Sequence, residues 1–335
     1  MKRVVVSTGL HVADLKPPAL MSEFTRLSIE DATTYLADPA HLVPCTCPAC
    51  GHAHGQPAFQ KQGFDFSECD ECGSVYVSPR PSESALEKYY AESRASRFRV
   101  EHFSKDTAKA RHPVGVLAQQ VEPARLVDEA GRASVKTYAD LRTHTPQIFD
   151  EVHGLKYFDA IYSVDPVVQP AGQCEAPVQV IGLHDAPLLA AVSAFEKLEH
   201  RFSPHMFLEE ACRKLAPGGL LFFTTRTISG FDLQVLWDKA PYIFVPEHLN
   251  LLSIEGIKLL VERLGLELLE VSTPGQLDLE FVQRTAEADA SVALPRFVEY
   301  LLEHRDPLAH ADFQEFLQKH RLSSHVRVAA RKKDD

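Results

Sequence analysis

The chain of 335 residues carries 46 Asp and Glu against 35 Lys and Arg, a formal net charge of −11 at pH 7. Its hydrophobic share of 45% and charged share of 24% are ordinary for a globular protein with a sizeable core, and the length suits one large or two modest domains. The acidic balance argues against a nucleic-acid partner, and no apolar run approaches the roughly 20 residues of a membrane helix, so no membrane association is expected.

The opening MKRVVVSTGLHVADLKPP is basic at its start, but its apolar run is too short and its flanks are wrong for a signal peptide. Residues 1–40 form a lead segment with one helix, in which Ser28 is the expected cap, Asp31 sits three residues on, and Ile29, Tyr35 and Leu36 supply apolar contacts.

Residues 41–95 differ in kind. The chain has seven cysteines, five of them within residues 45–72, a pattern that favours metal ligands in a reducing cytoplasm over a disulfide framework. Cys47-Pro-Ala-Cys50-Gly51 and Cys69-Asp-Glu-Cys72-Gly73 are two Cys-x-x-Cys knuckles with 18 residues between them. Two thiolates on a tight turn share a tetrahedral Zn²⁺ readily, and the glycine that follows permits the turn. The spacing is that of a zinc ribbon with a structural zinc on Cys47, Cys50, Cys69 and Cys72, and Cys45, His52 and His54 are spare donors. So small a ribbon lacks the core to fold alone, so the metal supplies its stability. A helix is expected from about Ser82 to Ser93.

Residues 96–335 read as one α/β domain. Residues 97–130 are a helical connection broken at Pro113 and Pro123. Strands are expected at Ala133 to Tyr138, Phe158 to Asp165, Val178 to Leu183, Leu188 to Phe195 and Leu220 to Thr225, with a helix at Pro146 to Val152. Phe207, Leu208, Ala211, Cys212 and Leu215 lie on one helical face, and Pro217-Gly218-Gly219 stops that helix. Further on come a helix at Ser253 to Leu264, a strand at Leu266 to Val271, helices at Pro295 to Glu303 and Ala311 to His320, and a strand at Ser324 to Ala330. There is no P-loop, no G-x-S-x-G elbow and no intact dinucleotide fingerprint.

The order of strand, Leu198-Glu199-His200, amphipathic helix, Leu215-Ala-Pro-Gly-Gly-Leu220 and strand resembles the central part of class I SAM-dependent methyltransferases. Gly230-Phe231-Asp232, Pro246-Glu247-His248-Leu249-Asn250 and Thr273-Pro274-Gly275-Gln276-Leu277-Asp278 resemble later segments of that family, and the run ending in Tyr89-Tyr90 resembles the subfamily with an N-terminal zinc ribbon. The resemblance implies a Rossmann-like doubly wound sheet with the last strand antiparallel. It also implies SAM as cofactor and methyl transfer to a small molecule, a sugar or another metabolite.

One departure is large. Where the family turns from its first strand through glycines, this chain reads Tyr138-Ala-Asp140-Leu-Arg142-Thr-His144-Thr145. Non-glycine residues in left-handed geometry cost roughly 1–2 kcal/mol each, and Arg142 and His144 occupy volume a cofactor needs. The alternative reading is a degenerate methyltransferase-like protein that has lost SAM and acts as a binding or regulatory partner, or runs another reaction in the old pocket. A third is a zinc ribbon that recruits nucleic acid or protein.

Candidate cofactor residues are Asp140; Asp165, as acceptor for the ribose hydroxyls; Asp185, toward the adenine; and Glu196. Glu122 is the ribose acid in another register. His200 and Glu199 are catalytic candidates at the end of the fourth strand, His200 because its ordinary pKa lies near working pH. His248 is a second one, and Thr225 and Arg226 line an acceptor pocket, where Arg226 suits an anion. Phe231, Trp237 and Tyr242 are read as packing.

Overall fold

The computed structural model describes residues 18–103, 123–143, 145–167 and 169–334. Pro113, Glu122 and His144, with most of the helical connection expected around them, lie outside the described residues. In chain order the elements are α1 (Pro18–Tyr35), β1 (Leu42–Val43), β2 (Gly55–Lys61), β3 (Phe64–Cys69), β4 (Val75–Val77), β5 (Arg80–Pro81), α2 (Glu83–Glu92), α3 (Arg94–Phe98), α4 (Pro123–Ala130), β6 (Thr137–Leu141), α5 (Ile148–Gly154), β7 (Ala160–Val164), β8 (Val178–Ile181) and β9 (Leu189–Phe195). Then follow α6 (Pro204–Lys214), β10 (Leu215–Arg226), α7 (Phe231–Leu236), β11 (Asn250–Leu251), α8 (Ile254–Arg263), β12 (Leu266–Ser272), α9 (Asp278–Ala288), α10 (Arg296–His304), α11 (Pro307–His320) and β13 (His325–Lys332).

Local chemistry sets many of these ends. Ser82, Ser203 and Asp306 cap α2, α6 and α11 through their side-chain oxygens, and Pro follows the cap in the last two. That Asp-Pro start is why α11 begins four residues before the expected Ala311. Ser28 is not a cap. It lies inside α1, where its hydroxyl donates to the carbonyl of Phe24 at 2.7 Å, a bond a helix interior allows at the i−4 carbonyl.

The chain divides into two compact units. The first comprises Met1–Phe98, Arg226–Ile257 and Ser272–Val326. It holds a four-stranded sheet of order β11-β4-β3-β2, so the short strand β11 completes the sheet of the cysteine-bearing ribbon. At the ribbon's hairpin Phe59 stacks on Phe66 and meets Trp237 edge-on, while Lys61 Nζ donates to the carbonyl oxygens of Asp238 and Ala240.

The second unit comprises Arg99–Thr225, Lys258–Val271 and Arg327–Asp335. The molecule's seven-stranded sheet has the order β12-β13-β10-β9-β6-β7-β8, with its last strands antiparallel. β10, β9, β6, β7 and β8 are parallel, and β9 is buried from Leu189 to Ala194, as a strand covered on both faces must be. Tyr138, Phe149, Val152, Ile161 and Ala191 pack in one core cluster. β6 lies later than the expected Ala133 to Tyr138, because Tyr138 to Asp140 pair with Ala191 to Ser193 and are buried. The chain order runs outward from β6 in both directions, through β7 to β8 and through β9 to β10. The crevice between β6 and β9 is therefore a switch point, where ligands bind in open α/β sheets.

Candidate functional site

In the second unit, three neighbouring strands end in the same way. The residue after β6, β7 and β9 is Arg142, Asp165 and Glu196, with φ of 55°, 44° and 52°. Each donates its amide across to a neighbouring strand: Arg142 to Val164 O at 2.8 Å, Asp165 to Ile181 O at 3.0 Å and Glu196 to Thr224 O at 3.0 Å. The ladder thus runs one residue past each strand before the backbone turns left-handed. None of the three is glycine, so each turn costs energy that these bonds hold in place.

Asp140 lies in β6 opposite Ser193 of β9. Its two oxygens accept from Thr143 Oγ1 and Ser193 Oγ, both at 2.5 Å. Ser193 gives its one proton to Asp140, so Tyr138 OH, 2.5 Å away, donates to Ser193. Burial raises the Asp140 carboxyl above its usual range, against the pull of these hydroxyls and of the Lys197 charge. Lys197 itself is only 3% exposed. Its ammonium makes no hydrogen bond or ion pair among the described residues. Burial lowers it to about 7, opposed by Asp140 and assisted by Arg201 and Arg99.

Asp165 and Asp185 are exposed and come together: a Cβ on Gly182 would lie 3.9 Å from Asp165 Oδ1 and 3.5 Å from Asp185 Oδ2. Glu196, Glu199 and His200 share the turn after β9, Glu199 buried and the other two half-buried.

In the first unit, the Sγ atoms of Cys47, Cys50, Cys69 and Cys72 all lie within 4.8 Å of one another. Cys47 to Cys72 is 3.6 Å and Cys50 to Cys69 is 3.5 Å, close to the ~3.8 Å edge of a tetrahedron with metal–sulfur bonds of about 2.3 Å. Gly51 and Gly73 have φ of 81° and 67°, as the knuckle turns require. Cys45 turns instead to the carbonyl of Val77, and His52 and His54 contact each other. The second knuckle is tied to α8: Ser253 Oγ donates to Cys72 O, and Ser253 N donates to Ser74 Oγ at 3.0 Å. His248, half-buried, precedes β11 in the same unit and meets Phe244 edge-on.

Arg226, read as an acceptor ligand, is engaged otherwise. Its guanidinium lies over Tyr242 and Phe281 and bonds Asp232 Oδ2 at 3.3 Å. Tyr242 OH donates to the same oxygen at 2.6 Å, so Tyr242 is packing with a polar tie. Asp278 accepts from Ser323 Oγ, Ser324 N and Gln314 Nε2. Burial and the nearby Asp232 charge raise it to about 6.

A family model described as a methyltransferase domain matches residues 50–271. This chain belongs to the methyltransferase-domain family. Among solved structures, the chain is similar to the [4+2]-cyclase SpnF at 17% identity and TM-score 0.37, covering 65% of this chain and 83% of that one. It is similar to the plantazolicin methyltransferase BpumL in complex with SAH at 8% and 0.45, covering 74% and 94%. A geranyl diphosphate methyltransferase with GPP and sinefungin gives 15% and 0.38, covering 64% and 78%. A search of curated protein sequences returns no match.

Two features of the chain escape the sequence. Lys197 sits in Glu196-Lys197-Leu198-Glu199-His200, a run that reads as a solvated turn, and only the fold turns it inward. The Asp232 and Asp278 cluster is foreshadowed by the Gly-Phe-Asp and Thr-Pro-Gly-Gln-Leu-Asp segments, but nothing in their spacing says that they meet. Among the described residues no helix is long and apolar enough to cross a membrane.

Proposed function

We propose that this methyltransferase domain transfers a methyl group from S-adenosylmethionine to a small-molecule acceptor, a sugar or another metabolite. The observation that carries the proposal is the row of left-handed strand ends at Arg142, Asp165 and Glu196 around the switch point. The residues of this edge suit the cofactor. Asp165 and Asp185 are outward carboxylates that can accept from its ribose hydroxyls and adenine amine. Arg142 Nε is buried with no hydrogen-bond partner among the described residues, which an incoming acceptor atom would satisfy.

When bound, S-adenosylmethionine supplies an electrophilic methyl group. The chain's own task is to orient the acceptor and remove its proton. In this reading His200 takes that proton and Glu199 holds the turn that carries it. Glu196 lines the cofactor side, and Asp140 holds the cleft floor through Ser193 and Thr143. The four cysteines would hold a structural zinc, whose closed ligand set leaves no position for catalysis. The three-part organisation 1–40, 41–95 and 96–335 belongs to the same proposal.

The test is calorimetric titration of the purified chain with S-adenosylmethionine and S-adenosylhomocysteine. Micromolar binding is expected. No heat up to millimolar ligand would favour the second reading, a domain that has lost the cofactor and serves as a binding partner or runs another reaction. Arg142 in a position suited to glycine, between the buried Leu141 and Thr143, favours that reading.

A further inference from the structure

We infer that Lys197 is the anion-recognising group of the cleft, holding a carboxylate or phosphate of the bound ligand. The inference rests on the proposed function only in taking the carboxyl edge as a ligand cleft. Lys197 is the second residue after β9, on one side of the switch point, and β6 with Asp140 forms the other side.

Its surroundings leave it unanswered. The side chain is buried, and both oxygens of Asp140 are taken by Thr143 and Ser193. The charged groups around it are Asp140 and Glu199 on one side of the balance and Arg201 and Arg99 on the other. Around Lys197, then, two carboxylates are matched by two guanidinium groups. A buried ammonium without a partner is costly, and its lowered pKa of about 7 registers that cost. A ligand anion would supply the missing partner and return the group to its charged form. A ligand cation would meet repulsion, so the sulfonium of S-adenosylmethionine is not what Lys197 faces. Its partner is either the amino-acid carboxylate of the cofactor or an anionic group of the acceptor.

The experiment compares wild type with Lys197→Met. Removing a buried, unpartnered charge should raise the melting temperature, which shows that the variant is folded. Affinity is then measured for S-adenosylhomocysteine and for 5′-methylthioadenosine, which lacks the amino-acid carboxylate. Thermal stabilisation by inorganic phosphate is measured alongside. A loss of about tenfold for S-adenosylhomocysteine in the variant, ~1.4 kcal/mol, with 5′-methylthioadenosine unchanged, assigns the carboxylate to the cofactor. Unchanged nucleoside affinities with loss of phosphate stabilisation assign the anion to the acceptor. If wild type binds neither nucleoside, the cofactor reading fails, and the phosphate comparison alone decides the role of Lys197. A folded Lys197→Met that matches wild type with every probe overturns the inference.

Discussion

A charged side chain in a protein interior must be answered by partners or it costs stability. Asp278 is answered by three donors, yet burial and Asp232 still raise it to about 6 from 3.8. An acid with a higher pKa in the folded state binds its proton more tightly there, so its contribution is most favourable below about 3.8 and declines as pH rises through about 6. The stability of wild type relative to Asp278→Asn should therefore fall by on the order of 2–3 kcal/mol from pH 4 to pH 6 by urea denaturation; a rise would contradict the assignment. Lys197 runs the other way. Its folded pKa of about 7 lies below the ordinary 10.5, so the folded state is penalised at low pH and recovers as pH climbs through that window. Lys197→Met should be more stable than wild type at pH 7, by up to about 4 kcal/mol, with the gap closing toward pH 10. A variant less stable than wild type at pH 7 would count against a penalised ammonium. Neither residue was legible as buried in the sequence. Asp140 looked like loop, because its partner Ser193 lies opposite it only once the register of β6 and β9 is known.

Elements were easier to read than their joints. The Pro217-Gly218-Gly219 signal is real: Gly218 has φ of 72°, and a Cβ on Gly219 would lie 2.7 Å from Ala216 O. It works as an irregularity at the start of β10 as well as a helix stop. The two knuckles were legible because each is local in sequence. Their attachment to α8 was not, since Ser74 and Ser253 are 179 residues apart. Cys69→Ser should lower both bound zinc, expected at one per chain, and the melting temperature; a folded protein free of zinc would remove the metal claim. Chelation should also speed amide exchange at Ser253 to Gly256, because Ser253 links Cys72 to the first turn of α8. Unchanged exchange there would mean that the knuckle does not support the helix. Gly230→Ala meets backbone, its Cβ 2.2 Å from Ser324 Cα, and should cost about 1–3 kcal/mol or more in denaturation. A neutral substitution would contradict the close approach.

At the scale of the molecule, the doubly wound sheet with its antiparallel last strand and the family were both announced by the Leu-Glu-His and Pro-Gly-Gly segments with their downstream companions. The missing glycines were also plain, but their meaning was not. The sequence says that residues 138–145 hold no glycine, and only the backbone says that Arg142 takes a left-handed turn there. The central claim is that an adenosyl ligand still sits at the ends of β6, β7 and β9. Hydrogen exchange of the zinc-loaded chain with saturating S-adenosylhomocysteine tests it directly. The account predicts protection at residues 141–143, 165–166 and 196–200, and protection confined to other segments, or none at all, would contradict it.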